Sequence, residues 1–240
     1  MTKIDYQENK KIIESFYTRL ERQNDFEKDN EYLESAFKRI NDIWIDNFNK
    51  IEKVKYLMIA EAPLWGKGEK YIYNPYTNNT QFFYRSDLEE TLKIKIRNKK
   101  DFIQTCNKIG LLIIDISPFP LNTKDTKINY GKNQNGSKKL TKNEYRNLVS
   151  ETIPLFFEQK IKLIKKKKSN DLKIFFRYAR VKNTFQDLIV SVLIENELTK
   201  SKDELGDISQ NGGGVNKLEL KRIFKNEIAR TTKTPTSFNP

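Results

Sequence analysis

Apolar side chains recur every three to four residues through the first part of the chain. Ile12, Ile13, Phe16, Tyr17 and Leu20 form one such stripe, and Tyr32, Leu33, Ala36, Phe37, Ile40, Ile43 and Trp44 form another. The spacing predicts two amphipathic helices within residues 1–50, separated by the polar stretch from Arg22 to Asn30. The period then changes. The run from Val54 to Ala60, closed by Pro63 and Gly66, is short and largely apolar, which predicts a buried strand. Leu111 to Ile116 is the clearest strand, ended by Pro118 and Pro120. Leu172 to Phe176 predicts a third after the turn Ser169-Asn170-Asp171, and the segment from Leu205 to Ile208 a fourth.

Helix signals fall between these runs. Ser86-x-x-Glu89 and Thr141-x-x-Glu144 have capping-box spacing, and Thr184-x-x-Asp187 is placed to cap a later helix. Phe102 to Ile109 reads as a helix stopped by Gly110, a C-cap glycine. Pro154 predicts a kink. A final helix carries Leu220, Ile223, Phe224 and Ile228, while residues 121–140 read as a loop and 231–240 as a disordered tail. Buried strands alternating with helices predict an α/β three-layer sandwich, with a four-stranded, mainly parallel sheet flanked by helices. No break in composition divides it, so residues 1–240 are expected to form a single domain with an N-terminal helical region.

The chain has 240 residues, a net charge of +13, one cysteine and no histidine. A histidine zinc site, a Ser-His-Asp triad and a histidine general base are therefore excluded within it. One cysteine excludes an internal disulfide. No metal or other cofactor is expected. No apolar run is long enough to cross a bilayer and the first residues carry no apolar leader, so a cytoplasmic setting without a membrane partner is expected.

The charge favours a polyanionic partner, DNA or another nucleic acid, against the plainer alternative of a compositional drift toward Lys, Asn and Ile. From Lys160 to Lys182 there are ten basic residues and one acid. Lys165, Lys166, Lys167, Lys168, Arg177 and Arg180 are accordingly the candidate phosphate contacts, although the four lysines also suit a solvated loop.

Ligands of open parallel sheets bind beyond the C-terminal strand ends. That rule brings residues 61–83, 115–122 and 212–216 together. Glu61 and Asp115 each end an apolar strand, and they are the candidate catalytic groups. If they share a pocket, their repulsion would raise one pKa and supply a proton donor. A structural alternative for Asp115 is to cap the Ser117-Pro118 turn. Trp65, Tyr73, Asn74, Phe82, Phe83 and Asn122 are candidate ligand-binding residues, since rings stack on a base while amides read its edge. The same aromatics would equally serve as a lid packed on the sheet. Gly212-Gly213-Gly214 fits neither a phosphate-loop nor a dinucleotide fingerprint.

Two motifs resemble the uracil-DNA glycosylase superfamily. Ala60-Glu61-Ala62-Pro63-Leu64 is similar to the motif that follows the family's first strand. Gly110-Leu111-Leu112-Ile113-Ile114-Asp115 is similar to its second strand, with Asp115 at the position of an asparagine that reads uracil. The resemblance implies a metal-independent enzyme that flips a base and cleaves its N-glycosidic bond, with Phe83 or Phe82 as the stacking ring. It also marks departures. Ala62 stands where one branch has a water-activating aspartate, and the late His-Pro-Ser motif has no counterpart. An aspartate in place of the asparagine removes an N–H donor, which implies a base other than uracil. Two alternatives stand beside this reading: a noncatalytic nucleic-acid-binding protein on the same fold, and a small-molecule or nucleotide hydrolase.

Overall fold

A computed structural model describes residues 4–77, 85–122, 124–131, 133–134, 136–210 and 214–231, with residues 230 and 231 described by their backbone alone. Its centre is a parallel sheet of β1 (Val54–Ala60), β2 (Leu111–Asp115), β5 (Lys168–Phe176) and β6 (Gly206–Asp207), in the order β2-β1-β5-β6. Every pairing in it is parallel, and the register sets Ala60 opposite Asp115 and Ile59 opposite Phe176. All of β2 is buried, as is β1 except for Lys55. That burial explains why their sequences run apolar without alternating. A second, two-stranded parallel ladder, β3 (Ile128–Asn129) with β4 (Lys138–Lys139), lies in the segment read as loop.

Helices cover both faces, as an α/β sandwich requires. On one side are α5 (Lys142–Thr152), α6 (Phe157–Lys165) and α7 (Ala179–Glu195); on the other are α3 (Arg85–Leu92), α8 (Lys217–Ile223) and α9 (Lys225–Thr231). Helices α1 (Tyr6–Arg19) and α2 (Gln23–Lys50) pack together, and α4 (Lys99–Ile109) precedes β2. The edge of β2 is closed by side chains. Trp44 of α2 donates its indole N–H to the Ile113 carbonyl at 3.1 Å, and the Ile113 amide donates to the Tyr73 hydroxyl. Both backbone groups that Ile113 turns outward at this edge are thereby satisfied.

Several boundaries differ from the sequence reading. The polar segment from Gln23 onward is the first turns of α2, because Phe26 and Leu33 are buried along the same stripe as Ala36 and Phe37. Ser169-Asn170-Asp171 is not a turn: it belongs to β5, whose pairing with β1 shifts register between Val54 and Tyr56. Thr184 lies inside α7, which starts at Ala179. Pro154 divides α5 from α6 with a 3₁₀ turn over Ile153–Leu155. The tail read as disordered lies, from residue 232, outside the described residues.

Gly110 sets the crossing from α4 into β2. It adopts a left-handed φ of +76°, and a Cβ there would stand 2.5 Å from the Lys53 carbonyl and 3.2 Å from the Lys55 amide. Only glycine fits both constraints. Gly110→Ala should therefore lower unfolding stability by about 2 kcal/mol or more in denaturant titration; a loss within experimental error would show that this crossing is not strained.

Candidate functional site

The sheet ends at Asp115 on β2 and Ala60 on β1, and the chain leaves both strands side by side. Ser117 donates its amide to the Glu61 carbonyl at 3.0 Å, and Arg177 donates to Ile59 at 3.1 Å. These bonds extend the ladder past the strands and fix the loops that follow. Between them lies a cavity of about 290 Å³, walled by Glu61, Ala62, Tyr71, Asp115, Tyr130 and Arg180, with Tyr178 and Lys70 also on its lining. The register pairs Asp115 with Ala60, so strict alternation would send Glu61 to the opposite face. The chain bends at Glu61, and the cavity wraps the strand ends, so both carboxyl groups line it.

Their surroundings differ. Asp115 is 5 % exposed, and among the described residues no side chain or amide donates a hydrogen bond to its carboxylate. Burial pushes its pKa upward; the nearby Lys160 opposes the shift, and Glu61 adds to it. Repulsion between the acids is thus the lesser cause, behind loss of solvent. Glu61 is also raised by burial, but the Arg180 guanidinium, 3.1 Å away, favours its charged form. Its Oε1 nevertheless lacks hydrogen-bond geometry, and the Tyr145 hydroxyl faces the same carboxylate without a bond of its own. Arg180 also donates to the Tyr130 carbonyl and lies over the Tyr145 ring. Tyr130 is held by Ser117, 2.7 Å away, and donates to the Phe119 carbonyl. Tyr71 carries a buried hydroxyl without a hydrogen-bond partner among the described residues.

Lys160 is 0 % exposed. Among the described residues its ammonium makes no hydrogen bond, and it sits 4.1 Å from the Phe156 ring centre and 4.6 Å from that of Trp44. Burial drives its pKa down, while Asp115 opposes that shift. Such a lysine is far from the solvated cation its sequence neighbours suggest. It lies on the apolar stripe Phe157, Ile161 and Ile164 of α6, the spacing that could have identified it. A second buried lysine, Lys99, donates to the Tyr71 carbonyl at 2.7 Å and the Thr77 hydroxyl at 2.6 Å. It pins the loop that carries Tyr71, and burial pushes its pKa down to about 8.

Other sequence candidates are placed elsewhere. Tyr73 closes the β2 edge, on the far side of its loop from the cavity. Asn74 donates to the Glu69 carbonyl and accepts from the Tyr76 amide, so its amide serves the loop itself. Asn122 donates to Tyr32 and Pro120 and accepts from the amides of Lys124 and Asp125. Trp65 is half-buried against the core and is absent from the cavity lining. Phe82 and Phe83, like Gly212 and Gly213, lie outside the described residues.

The lysine run belongs to the opposite end of the sheet, where β5 begins. Lys167 donates to the carbonyls of Phe48, Asn49 and Ile51 and so caps α2, Lys165 pairs with Glu197, and Lys168 donates to the Glu197 carbonyl. Lys166 is exposed. Arg177 is buried, donates to the Gly214 carbonyl and lies over Tyr178. Of the six basic candidates only Arg180 reaches the cavity.

Among the described residues no group of three metal-binding side chains converges, and no helix is long and apolar enough to cross a membrane. Comparison of the chain with protein-family models, curated proteins and solved structures yields no match.

Asp115 and Lys160 make the stability of the fold depend on pH in a defined way. Asp115 keeps its proton to higher pH when folded, so its penalty on folding grows as pH rises above the ordinary 3.8. Lys160 gives up its proton at lower pH when folded, so its penalty is full in acid and lifts toward the ordinary 10.5. The two overlap near neutrality. The double variant Asp115→Asn, Lys160→Met should gain most over the wild type near neutral pH and less on either side. A gain that does not vary with pH in chemical denaturation would contradict the burial assigned to these groups.

Proposed function

We infer that this chain is a metal-independent, DNA-glycosylase-like protein that binds or excises a base other than uracil. The observation that carries the reading is one cavity lined by two carboxyl groups in unlike environments and by three tyrosine rings, at the C-terminal ends of adjacent parallel strands. A flat heterocycle suits such walls, because aromatic faces stack on it while an acid meets its edge. The resemblance of Ala60–Leu64 and Gly110–Asp115 to the uracil-DNA glycosylase strands supports the same reading.

The two acids divide the work. Asp115, inclined by burial to stay protonated, donates to a ring acceptor of the base. Glu61, whose charge Arg180 favours, stabilises the positive charge that develops at the sugar C1′. The C1′–N bond breaks, water adds its oxygen to C1′, and the water's proton passes to Glu61 and then to solvent. The base leaves with the proton from Asp115. Ala62, on the cavity wall, has no acid to offer, which leaves Glu61 as the nearer carboxylate.

One observation favours a second reading, hydrolysis of a free nucleoside or nucleotide. The lysine run, which a bound strand would use for its phosphates, is at the other end of the sheet from the cavity.

A panel of modified-base oligonucleotides and the matching free nucleosides separates these readings. The wild type should bind or release a base from an oligonucleotide. Asp115→Ala should lower that by roughly 100-fold, and Glu61→Gln should lower release more than binding. Release should also fall as pH rises through the raised pKa of Asp115. Binding without release would mark a noncatalytic member of the fold, and cleavage of free nucleosides alone would favour the second reading. An unaffected Asp115→Ala protein would contradict both.

A further inference from the structure

A second, larger cavity lies on the other side of the loop that carries Tyr71. It measures about 540 Å³ and is enclosed by α2, α4 and residues 73–76. At its floor is Asn47 of α2. This residue is 3 % exposed, and among the described residues neither its amide nitrogen nor its amide oxygen has a hydrogen-bond partner. Asn107 of α4, also on the lining, has an unpartnered oxygen. Buried amides are ordinarily satisfied, and an asparagine with both ends unmet lacks a partner with a donor and an acceptor side by side.

The rim supplies further chemistry. Arg39, Lys50 and Lys100 stand around the opening with one acid, Asp46, and among the described residues none of the three cations forms an ion pair. Tyr76 is 91 % exposed at the same mouth. An exposed ring, a donor–acceptor amide and a cationic rim are the three elements a nucleotide uses: a face to stack, an edge to pair and a phosphate to neutralise. The volume falls within the range of small-ligand pockets.

We propose that this cleft between α2 and α4 is a nucleotide-binding site distinct from the cavity at Asp115. Asn47 reads the base edge, Tyr76 covers its face, and Lys50 and Lys100 with Arg39 hold the phosphate. The site accepts the nucleotide as a free molecule or as one residue of a single strand, the recognised chemistry being the same. It does not rest on the reading of the first cavity, although the loop from Tyr71 to Tyr76 borders both.

Calorimetric titration of the full chain tests it, with AMP, GMP, CMP, UMP, inorganic phosphate and a short single-stranded oligonucleotide as probes. At least one nucleotide should bind more tightly than inorganic phosphate. Asn47→Ala should weaken that binding by about tenfold or more, with little change in melting temperature because the amide is unsupported by the protein. The surface variants Tyr76→Ala and Lys50→Glu/Lys100→Glu should weaken it too, which keeps the test intact if Asn47→Ala folds poorly. Asp115→Ala should bind as the wild type does, so failure at one cavity is separable from failure at the other. A strand that binds more tightly than its mononucleotide, with the same dependence on Asn47, identifies single strands as the source; equal affinities identify the free nucleotide. No binding by the wild type, equal affinity for phosphate and every nucleotide, or affinities untouched by these substitutions would overturn the proposal.

Discussion

Burial of a carboxyl group at the end of a fully enclosed strand is the constraint on which the rest of this molecule turns. Strand β2 is buried along its whole length, so Asp115 emerges from it with little water and, among the described residues, no hydrogen-bond donor to hold its charge. A carboxylate in that position either loses its charge or finds a cation. Here the nearby cation is Lys160, itself buried and caged by Trp44 and Phe156. The two groups oppose each other's pKa shift without either being solvated. Such an arrangement costs stability and leaves one acidic side chain facing an open space, which is how sites are commonly distinguished from cores.

The scaffold exists to hold that space open. Ladder bonds run past the strands to Glu61 and Ser117, Trp44 and Tyr73 close the β2 edge, and Lys99 ties down the loop from Tyr71 to Thr77. Each tie acts on backbone that borders a cavity. The side chains that do this are polar or aromatic, the types that look like ligand-binding residues in a sequence. Tyr73, Asn74 and Asn122 illustrate the confusion: their polar atoms are consumed by the protein's own backbone or by Tyr32.

Much of the fold was legible because burial leaves a periodic trace. Continuous apolar runs marked β1 and β2, Gly110 marked the end of α4, and Thr141 with Glu144 marked the start of α5 by a capping box. Glu61 and Asp115 were legible for the same reason, as acids standing where an apolar strand stops. Spatial direction was not. The lysines from 165 to 168 could not be assigned to one end of the sheet from composition, and they cap α2 and pair with Glu197 at the end away from the cavity. Lys160 was hidden among them, since a basic run masks the one member that follows the apolar stripe of α6. Asn47 was hidden in α2 because nothing in a single sequence tells a satisfied amide from an orphaned one.

The proposed function requires the space between Glu61 and Asp115 to accept a flat heterocycle. Carboxyl ¹³C NMR, followed while free nucleobases are added, tests it most directly. At least one base should move the Asp115 and Glu61 carboxyl signals together, in a saturable manner. Signals that stay fixed for every base, or changes confined to carboxyl groups away from this cavity, would contradict it.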